Sequence, residues 1–595
     1  MCSRHGNCMV LDHPSARRYP PCTMMKRAIV ESTADAYLEL LAARGVEYFF
    51  ANAGTDFAPL IEAFSKRQAE GKTLPRPMTV PHEITAIGMA HGYAAVTGRP
   101  QVVMVHVIVG TANALGGIIN AARAHAPILV TAGRTPLTED KLPGARNRHI
   151  HWAQESFDQG AMVREFVKWD YELRLGAQVE TVVDRALSIA RSEPQGPVYL
   201  TLPREVLAEA MQNVEYSDPA RVTPPAPSVA DPAAIERAAE ILAGARNPIA
   251  IVKSSGRDPG SVAPLVALAE ALGMPVFDQA ATHLNFPQTH ALYGGGDPTA
   301  YLTDADRIVV VEADAPWFPA LRSPGPDTTV IQIAHDPLFS RYPIRGFAVD
   351  LGLGGAPRLT IAALTAALQR RRLDAGAVET RRKRWEAESK KIREAAATRA
   401  ASLTKDSPID MAWLSRCVGD AIDDDTIVVN EYDLDIAHTR LTRPGSYFSQ
   451  SPASGLGWGL GAALGAKLAA PDKTVVCCVG DGAYLFGTPT SAHWTARAHN
   501  LPVLTVIFNN RAWNAVKRSV SSHAPKGWAV RSGAMPLSEL DPAPDYEMIA
   551  RACGNWAERV EDPTVLPEML RQALRVVRED KRPALLNVIC KKPAP

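Results

Sequence analysis

A carboxylate and a pair of amides stand where a metal ion and a phosphate could be bound. Asp481 lies between Gly480 and Gly482, and Asn509 and Asn510 follow further along the chain. Carboxylate and amide oxygens are the hard ligands that Mg²⁺ prefers, and phosphate oxygens and water fill its remaining positions. Glycines let the backbone approach a phosphate closely, and a following helix N-terminus favours the negative charge. These residues predict a site for Mg²⁺ and a phosphate-bearing ligand.

The neighbouring segments must place both groups at one edge of a sheet. Residues 474–479 and 503–508 are short apolar runs with β-branched members, which predict buried parallel strands. Between them, Thr488 is the expected N-cap of a helix and Pro489 its first residue. Open α/β sheets bind their ligands at the carboxyl ends of such strands. The alternative is a surface turn followed by an ordinary pair of strand-end asparagines.

This strand, helix, strand unit resembles the fingerprint of thiamine diphosphate-dependent decarboxylases and acetolactate synthase-like enzymes. The resemblance rests on a Gly-Asp-Gly motif closing one apolar strand and an Asn-Asn pair closing the next, with residues 483–508 between them. It implies that Asp481, Asn510 and the carbonyl of Ala512 are ligands of Mg²⁺. It also implies that the bound cofactor contacts the residues around that metal, which are Gly480, Gly482 and Ala483.

Glu83 carries a second signature of the same family. It follows His82 and precedes a helix of small residues predicted over 84–97, which Gly98 closes. The segment resembles the pyrimidine-binding domain, where a glutamate bonds the aminopyrimidine ring and favours its imino form, so that a ring nitrogen can take the proton from C2. The alternative is a glutamate that is merely favoured at a helix N-terminus. His82 is expected to be structural.

Two further segments of the last domain bear on the cofactor. The resemblance implies that Leu456 is the bulky residue that holds the cofactor bent, and that the carbonyl of Ser454 meets its aminopyrimidine. Relatives offer Ser, Thr, Asn or His to the diphosphate where this chain has Asp433. Because a carboxylate would repel a diphosphate, we expect Asp433 and Asp435 to lie in a solvated loop.

Three residues are candidates for the substrate pocket. His106 lies in a strand predicted over 102–109 and aligns with the pocket histidine of benzoylformate decarboxylase-like enzymes, which implies proton exchange near neutral pH. Thr55 aligns with a pocket serine and could bond a substrate carboxylate. His290 is a weaker candidate. The alternative for His106 is a core histidine whose ring nitrogens have found partners.

Strands alternate with helices along the chain, which predicts an α/β fold of three doubly wound parallel-sheet domains. The central domain has no GxGxxG after its first strand, and FAD is left open as a second cofactor. The predicted boundaries are a disordered tail over 1–25, a pyrimidine-binding domain over 26–210, a central domain over 230–370, a linker helix over 371–407, and a diphosphate-binding domain over 408–595.

Composition narrows the class of protein. The chain of 595 residues is 46% hydrophobic and 21% charged, and its net charge of +1 gives no footprint for nucleic acid. No apolar run is long enough to span a membrane, so a cytoplasmic location is expected. Cys477 and Cys478 fall inside a predicted strand and are expected to be packed thiols. The family resemblance implies a homodimer or homotetramer, with each site shared between subunits.

The expected activity is thiamine diphosphate- and Mg²⁺-dependent chemistry on a small molecule. The resemblance implies decarboxylation of a 2-oxo acid, followed by release of an aldehyde or by carboligation, as in acetolactate synthase-like enzymes. Two alternatives remain open. One is a 2-hydroxyacyl-CoA lyase or oxalyl-CoA decarboxylase-like enzyme, since Asn430-Glu431 and residues 434–436 resemble segments of those relatives. The other is a catalytically inactive, cofactor-binding homologue.

Overall fold

The structure is a computed structural model that describes residues 24–592. It contains three α/β domains, each built on a six-stranded parallel sheet, so the predicted fold class is confirmed. The first strand begins at Met24, inside the tail predicted over 1–25. The rest of that tail, residues 1–23, lies outside the described residues.

The N-terminal sheet has the strand order β3-β2-β4-β5-β7-β6, and an antiparallel pair, β1 with β8, closes the domain. Its strands are β1 Met24–Ile29, β2 Tyr48–Ala51, β3 Arg76–Thr79, β4 Val102–Val105, β5 Leu129–Arg134, β6 Asp170–Glu172, β7 Val198–Pro203 and β8 Asn213–Asp218. Its helices are α1 Thr33–Ala43, α2 Ala58–Ala69, α3 Glu83–Thr97, α4 Val107–Arg123, α5 Ile150–Ala153, α6 Val179–Arg191 and α7 Arg204–Ala208.

The central sheet has the order β11-β10-β9-β12-β13-β14. The long helix α11 follows it, and its buried Trp385 packs edge-on against Phe277 of the sheet, so this charged helix is anchored on the central domain. The elements are β9 Pro248–Val252, β10 Val276–Asp278, β11 Tyr293–Gly295, β12 Arg307–Val311, β13 Thr329–Ala334 and β14 Leu351–Gly354, with helices α8 Pro232–Ala243, α9 Val262–Leu272, α10 Pro357–Gln369 and α11 Ala375–Ser402.

The C-terminal sheet has the order β16-β15-β17-β18-β20-β19, and its core includes the free, buried thiols of Cys477 and Cys478. Its strands are β15 Thr426–Glu431, β16 Tyr447–Ser449, β17 Thr474–Gly480, β18 Leu504–Asn509, β19 Trp556–Val560 and β20 Ala584–Ile589. Its helices are α12 Met411–Ala421, α13 Trp458–Ala469, α14 Asp481–Phe486, α15 Pro489–Ala498, α16 Asn514–His523, α17 Trp528–Ser532, α18 Tyr546–Ala552 and α19 Leu566–Arg578.

Helix α3 of the first domain and helix α13 of the last domain pack so closely that their backbones are in contact. A Cβ atom built on Gly92 would lie 2.0 Å from the carbonyl oxygen of Ala462, and one built on Gly465 would lie 1.9 Å from that of Met89. Only glycine fits at these two positions, because any side chain would collide with backbone. The small-residue helix predicted over 84–97 therefore packs directly on α13 of the same chain.

The structure corrects one prediction of secondary structure. The strand predicted over 102–109 ends at Val105, and α4 begins at Val107. Thr488 is the N-cap residue of α15 and Pro489 is its first residue, as predicted, but the Thr488 hydroxyl lies 3.3 Å from that of Thr85 and does not cap the helix. Within the part of the chain that the structure describes, no helix is both long enough and apolar enough to cross a membrane.

Candidate active site

The candidate site residues lie at the points where strand order reverses in two of the sheets. In the N-terminal sheet that point falls between β2 and β4, and in the C-terminal sheet it falls between β15 and β17. A crevice opens beyond the carboxyl ends of the strands at such a point, because the connections leave in opposite directions. Asp56 and His106 follow β2 and β4, and Asp433 and Asp481 follow β15 and β17.

Asp481 opens α14 directly after β17 and is 1% exposed. Its Oδ2 atom is buried and has no hydrogen-bond partner among the described residues. The pKa of this carboxyl is raised to about 7, mainly by burial and to a lesser extent by the charge of Asp433. A buried carboxylate oxygen without a partner is costly, and a cation bound there would remove that cost.

Asn510 and Ala512 follow β18 and are also buried. The Oδ1 atom of Asn510 accepts a hydrogen bond from the backbone N–H of Ala512, at 3.0 Å. Within residues 24–592, no group of three His, Cys, Asp or Glu side chains is arranged to hold a metal ion. A cation beside Asp481 would therefore depend on amide, carbonyl and ligand oxygens, which is the mixture that Mg²⁺ accepts.

A cavity of about 270 Å³ opens beside Asp481. Gly482 lies against the indole ring of Trp513, where an added Cβ would come within 2.5 Å of the ring, so the backbone rather than a side chain faces the cavity. The cavity brings together seven of the predicted residues, namely Ser454, Leu456, Gly480, Asp481, Gly482, Ala483 and Ala512.

The expectation of a solvated loop at Asp433 is wrong. Asp433 is half-buried and lines the same cavity, and a Cβ atom built on Gly480 would lie 2.6 Å from its Oδ2. Burial raises the pKa of Asp433 to about 6, and the charge of Arg518 opposes that rise. The error came from reading the residue type alone, because a left-handed backbone at Tyr432 and Asp433 turns the chain back toward the cavity.

Glu431, the last residue of β15, holds the segment that carries Leu456. Its buried carboxylate accepts hydrogen bonds from the backbone N–H groups of Gly457 at 2.6 Å and Gly459 at 2.5 Å. These donors belong to the N-terminal turn of α13, whose orphan N–H groups need an acceptor. Burial nevertheless raises the pKa of Glu431 to about 7. Sequence reasoning missed this role, and a carboxylate at the end of a buried strand was the available signal.

The other end of this segment is held by the N-terminal domain. The side-chain amide of Asn120, on α4, donates to the carbonyl of Gly455 at 2.8 Å and accepts from its N–H at 3.0 Å. Leu456 is partly buried between these two anchored ends, and Ser454 is exposed with a left-handed backbone. The position of Leu456 is therefore fixed by side chains from two domains.

Glu83 is the first residue of α3 and is 3% exposed. The amide of Asn52 donates to its Oε1 at 3.0 Å, and the amide of Asn113 lies 3.4 Å from its Oε2. His82 caps the helix, because its Nδ1 accepts a hydrogen bond from the N–H of Ile84. Glu83 is thus a buried carboxylate that is oriented by neutral amides and not by a cation.

His106 is the N-cap residue of α4, with a side chain that is 19% exposed. Its Nδ1 lies 2.5 Å from Oδ1 of the buried Asp56, and its Nε2 lies 3.2 Å from the amide nitrogen of Gln154. The hydrogen bond to Asp56 raises the pKa of His106, partly offset by burial. Gly54 is required beside the ring, since a Cβ there would lie 2.1 Å from Nδ1. Asp56 was missed in the sequence, although it directly follows Thr55.

The remaining substrate candidates are placed differently. Thr55 begins the short turn before α2 and is exposed at the same sheet edge as Asp56. His290 lies in the central domain, where its Nε2 is 3.3 Å from Glu270 and its Nδ1 accepts from the N–H of Leu292. Thr55 therefore directly precedes Asp56, the partner of His106, whereas His290 makes its contacts within the central domain.

Three domain families of thiamine pyrophosphate enzymes match the chain. The N-terminal TPP binding domain matches residues 31–162, the central domain matches 235–364, and the C-terminal TPP binding domain matches 432–588. Each match falls within one of the three domains, and the central match spans all six strands of its sheet.

Known proteins resemble the chain over nearly its whole length. Benzoylformate decarboxylase of Pseudomonas aeruginosa is 27% identical over 576 residues, which cover 94% of this chain and 99% of the relative. The large subunit of acetolactate synthase isozyme 3 of Escherichia coli is 27% identical over 520 residues, which cover 84% and 86%. A solved thiamine diphosphate-dependent 4-hydroxybenzoylformate decarboxylase of Rhodococcus jostii RHA1 shares the fold, with a TM-score of 0.73, 24% identity, and coverage of 95% of this chain and 100% of that one. On the strength of its three matching domains, this chain belongs to the thiamine pyrophosphate enzyme family.

Proposed function

We propose that this protein is a Mg²⁺- and thiamine diphosphate-dependent enzyme that removes CO₂ from a 2-oxo acid. It then either releases an aldehyde or joins the acyl unit to a second carbonyl compound. The observation that carries the proposal is the buried Oδ2 of Asp481, which lacks a partner among the described residues and borders a cavity. Bound thiamine diphosphate supplies the nucleophile and the electron sink for decarboxylation.

Three oxygen donors would hold the metal. They are the carboxylate of Asp481, the side-chain amide of Asn510 and the carbonyl of Ala512, all from buried residues. This set carries one negative charge, so the diphosphate would supply the rest of the anionic ligands of Mg²⁺. The backbone around Gly480 and Gly482 would lie against the diphosphate, beside the N-terminus of α14.

Glu83 would bond the aminopyrimidine ring of the cofactor. Its burial makes a hydrogen bond from the carboxyl group to a ring nitrogen strong, because little water competes for it. Asn52 and Asn113 hold the carboxylate by neutral hydrogen bonds and leave it able to share a proton. Leu456 and the carbonyl of Ser454 would support the ring from the opposite domain.

His106 would move the proton that the reaction consumes. When Nδ1–H donates to Asp56, Nε2 is left as the basic nitrogen, and it accepts from the amide of Gln154. This nitrogen can take up and return a proton near neutral pH. Thr55, exposed at the same edge, would bond the substrate carboxylate.

For the acyl-CoA alternative, the structure gives the side chain of Glu431 a role within the fold. Glu431 is fully buried, and its carboxylate accepts hydrogen bonds from the backbone of α13. The amide of Asn430 donates to the carbonyl of Leu434 and the hydroxyl of Tyr447. The carboxylate of Glu431 is therefore occupied by the fold, whereas Oδ1 of Asn430 has no hydrogen-bond partner among the described residues. FAD is not part of the proposal, because decarboxylation without an electron acceptor does not require it.

We also propose a homodimer or homotetramer in the cytoplasm, with cofactor sites shared between subunits. The cavity beside Asp481 is lined by residues of the C-terminal domain alone. The hydrogen bonds of the Glu83 carboxylate all come from its own domain. A pyrimidine-binding domain of a second copy would complete such a cavity, and closed two-fold assemblies are the common result of a contact between identical chains.

Two experiments test the function. The first measures equilibrium binding of thiamine diphosphate with Mg²⁺ to the protein and to Asp481→Ala. We expect the variant to lose cofactor retention, and unchanged affinity would refute the site. The second is a product screen of the loaded enzyme with benzoylformate, aliphatic 2-oxo acids, aldehydes and 2-hydroxyacyl-CoAs offered separately. Cofactor binding without turnover of any of these would indicate an inactive homologue.

A further inference from the structure

A second cavity lies at the junction of the central domain, the long helix α11 and the C-terminal domain, and it shares no lining residue with the cavity beside Asp481. Its volume is about 310 Å³, at the lower end of the range for small-molecule sites. Three arginines line it, Arg393 from α11, Arg416 from α12 and Arg440 from the turn after β15, and Glu394 is the only acidic residue among them. Because Arg416 is already paired with Asp420 at 2.7 Å, the excess of positive charge in this cavity, which we call the arginine cavity, comes from Arg393 and Arg440.

A buried histidine at the arginine cavity also has unused hydrogen-bonding capacity. The side chain of His438 is 3% exposed and lines the cavity. Its Nδ1 has no hydrogen-bond partner among the described residues, and its Nε2 is 3.6 Å from Asp435, which is too long for a hydrogen bond. Buried polar nitrogens are nearly always paired in folded proteins, so this one indicates a missing ligand or water.

The wall that carries His438 and Arg440 is held in place by the central domain. The side-chain carbonyl of Gln288 accepts hydrogen bonds from the hydroxyl of Thr439 at 2.8 Å and the N–H of Leu441 at 2.7 Å. The amide of Gln288 donates to the carbonyl of Ile436. The turn is thus fixed before any ligand arrives, which lowers the entropy cost of binding.

We propose that the arginine cavity binds a phosphate group, either as inorganic phosphate or as a small phosphate monoester. Guanidinium groups match phosphate oxygens with paired N–H donors, and arginines from three separate elements line this cavity. His438 adds a fourth donor or acceptor from the buried wall. The site differs from the cofactor cavity in every lining residue.

The test uses the protein saturated with thiamine diphosphate and Mg²⁺, so that the cofactor site cannot take the probe. Titration calorimetry and thermal unfolding are followed with inorganic phosphate and, separately, with glycerol 3-phosphate, against NaCl of equal ionic strength. Saturable binding of either probe, with a rise in the unfolding temperature that NaCl does not reproduce, supports the proposal. Tighter binding of glycerol 3-phosphate would assign a phosphate monoester, and tighter binding of phosphate would assign the free ion.

Arg440→Gln is the decisive variant, because Arg440 is exposed and its loss removes one guanidinium with little packing. We expect its affinity for the better probe to fall about tenfold or more, the scale of one charge-assisted hydrogen bond. Arg191→Gln, at an exposed position in the last turn of α6, is the matched control and should bind like the parent protein. Absence of saturable binding, equal losses in both variants, or full affinity in Arg440→Gln would each overturn the proposal.

Discussion

Nδ1 of His106 and Oδ1 of Asp56 lie 2.5 Å apart, at the end of β4 and just after β2, so two neighbouring strands contribute one proton-sharing pair. This carboxylate raises the pKa of His106 above its usual value. The pair stabilises the fold fully below the unfolded pKa of about 6.5, and that stabilisation is lost as pH rises through the raised pKa.

Asp56→Asn should lower the pKa of His106, since an amide offers no negative charge. A limb of the pH–rate profile that depends on protonated His106 should therefore move to lower pH. The pKa is measured by NMR titration of the His106 ring, alongside kcat/KM as a function of pH. Asp158→Asn, at an exposed ion pair with Arg164, serves as the control. An unmoved titration in Asp56→Asn would show that the carboxylate does not set the protonation of His106.

His106→Ala should slow turnover by roughly 10²-fold or more, the usual scale of a lost general acid–base group. Cofactor affinity should stay nearly unchanged, because His106 makes its contacts to Asp56 and Gln154. Single-turnover rates with the best substrate of the screen, compared with cofactor binding, separate the two effects. Turnover at the wild-type rate would show that His106 has only a packing role. It would also favour an acetolactate synthase-like activity over a benzoylformate decarboxylase-like one.

Glu83→Gln should leave the cofactor bound but slow its activation. The amide is close in shape and can keep neighbours such as Asn52, yet it cannot share a proton with the aminopyrimidine as a carboxyl group does. Hydrogen–deuterium exchange at C2 of bound thiamine diphosphate measures this step directly. Exchange at the parent rate in a folded, cofactor-saturated variant would remove Glu83 from the proposed role.

Glu431→Gln should destabilise the start of α13, because an amide side chain offers a single acceptor oxygen to donors that now contact both carboxylate oxygens. A buried donor left unsatisfied costs about 1–3 kcal/mol.

The pKa of Glu431 is raised by burial from 4.5 to about 7, so its charging opposes folding as pH rises through that window. Chemical denaturation from pH 4.5 to 7 should show this fall in the parent protein and a weaker one in the variant. Glu386→Gln, at an exposed position on α11, is the control and should be as stable as the parent protein. If Glu431→Gln were also as stable as the parent protein, the capping role of Glu431 would be refuted.

Shared sites can be tested by mixing two defective chains. If Glu83 of one subunit serves the metal site of another, a mixed dimer of Glu83→Gln and Asp481→Ala contains one site with neither substitution. Co-expressed chains should then recover activity that neither variant has alone, and light scattering should show a dimer or larger. Because α3 also packs on α13 within one chain, absence of recovery in a verified mixed dimer would assign both halves to the same subunit.

The sequence predicts where the proposed metal ligands lie in the fold, because strand ends are readable from apolar runs. Asp481 and Asn510 each follow a buried strand, and the structure places both there. The prediction from sequence was wrong after His106, because the β-branched residues 107–109 suggest a continued strand but form the first turn of α4. Propensity gives way there to tertiary packing. Asp56, Asp433 and Glu431 were missed or misread for another reason, since their roles come from contacts between segments far apart in the chain.

The contact of α3 with α13 ties the first domain to the last, although the whole central domain lies between them in the chain. During synthesis, the glycine-lined face of α3 cannot pack against α13 until α13 has left the ribosome. This interval is on the order of tens of seconds at ordinary elongation rates. Throughout that time an apolar helix surface stays uncovered on a nascent chain, where it is open to association with other unfinished chains. Recovery of folded protein should therefore depend on chaperone supply and on growth temperature more strongly than the stability of the finished molecule would suggest.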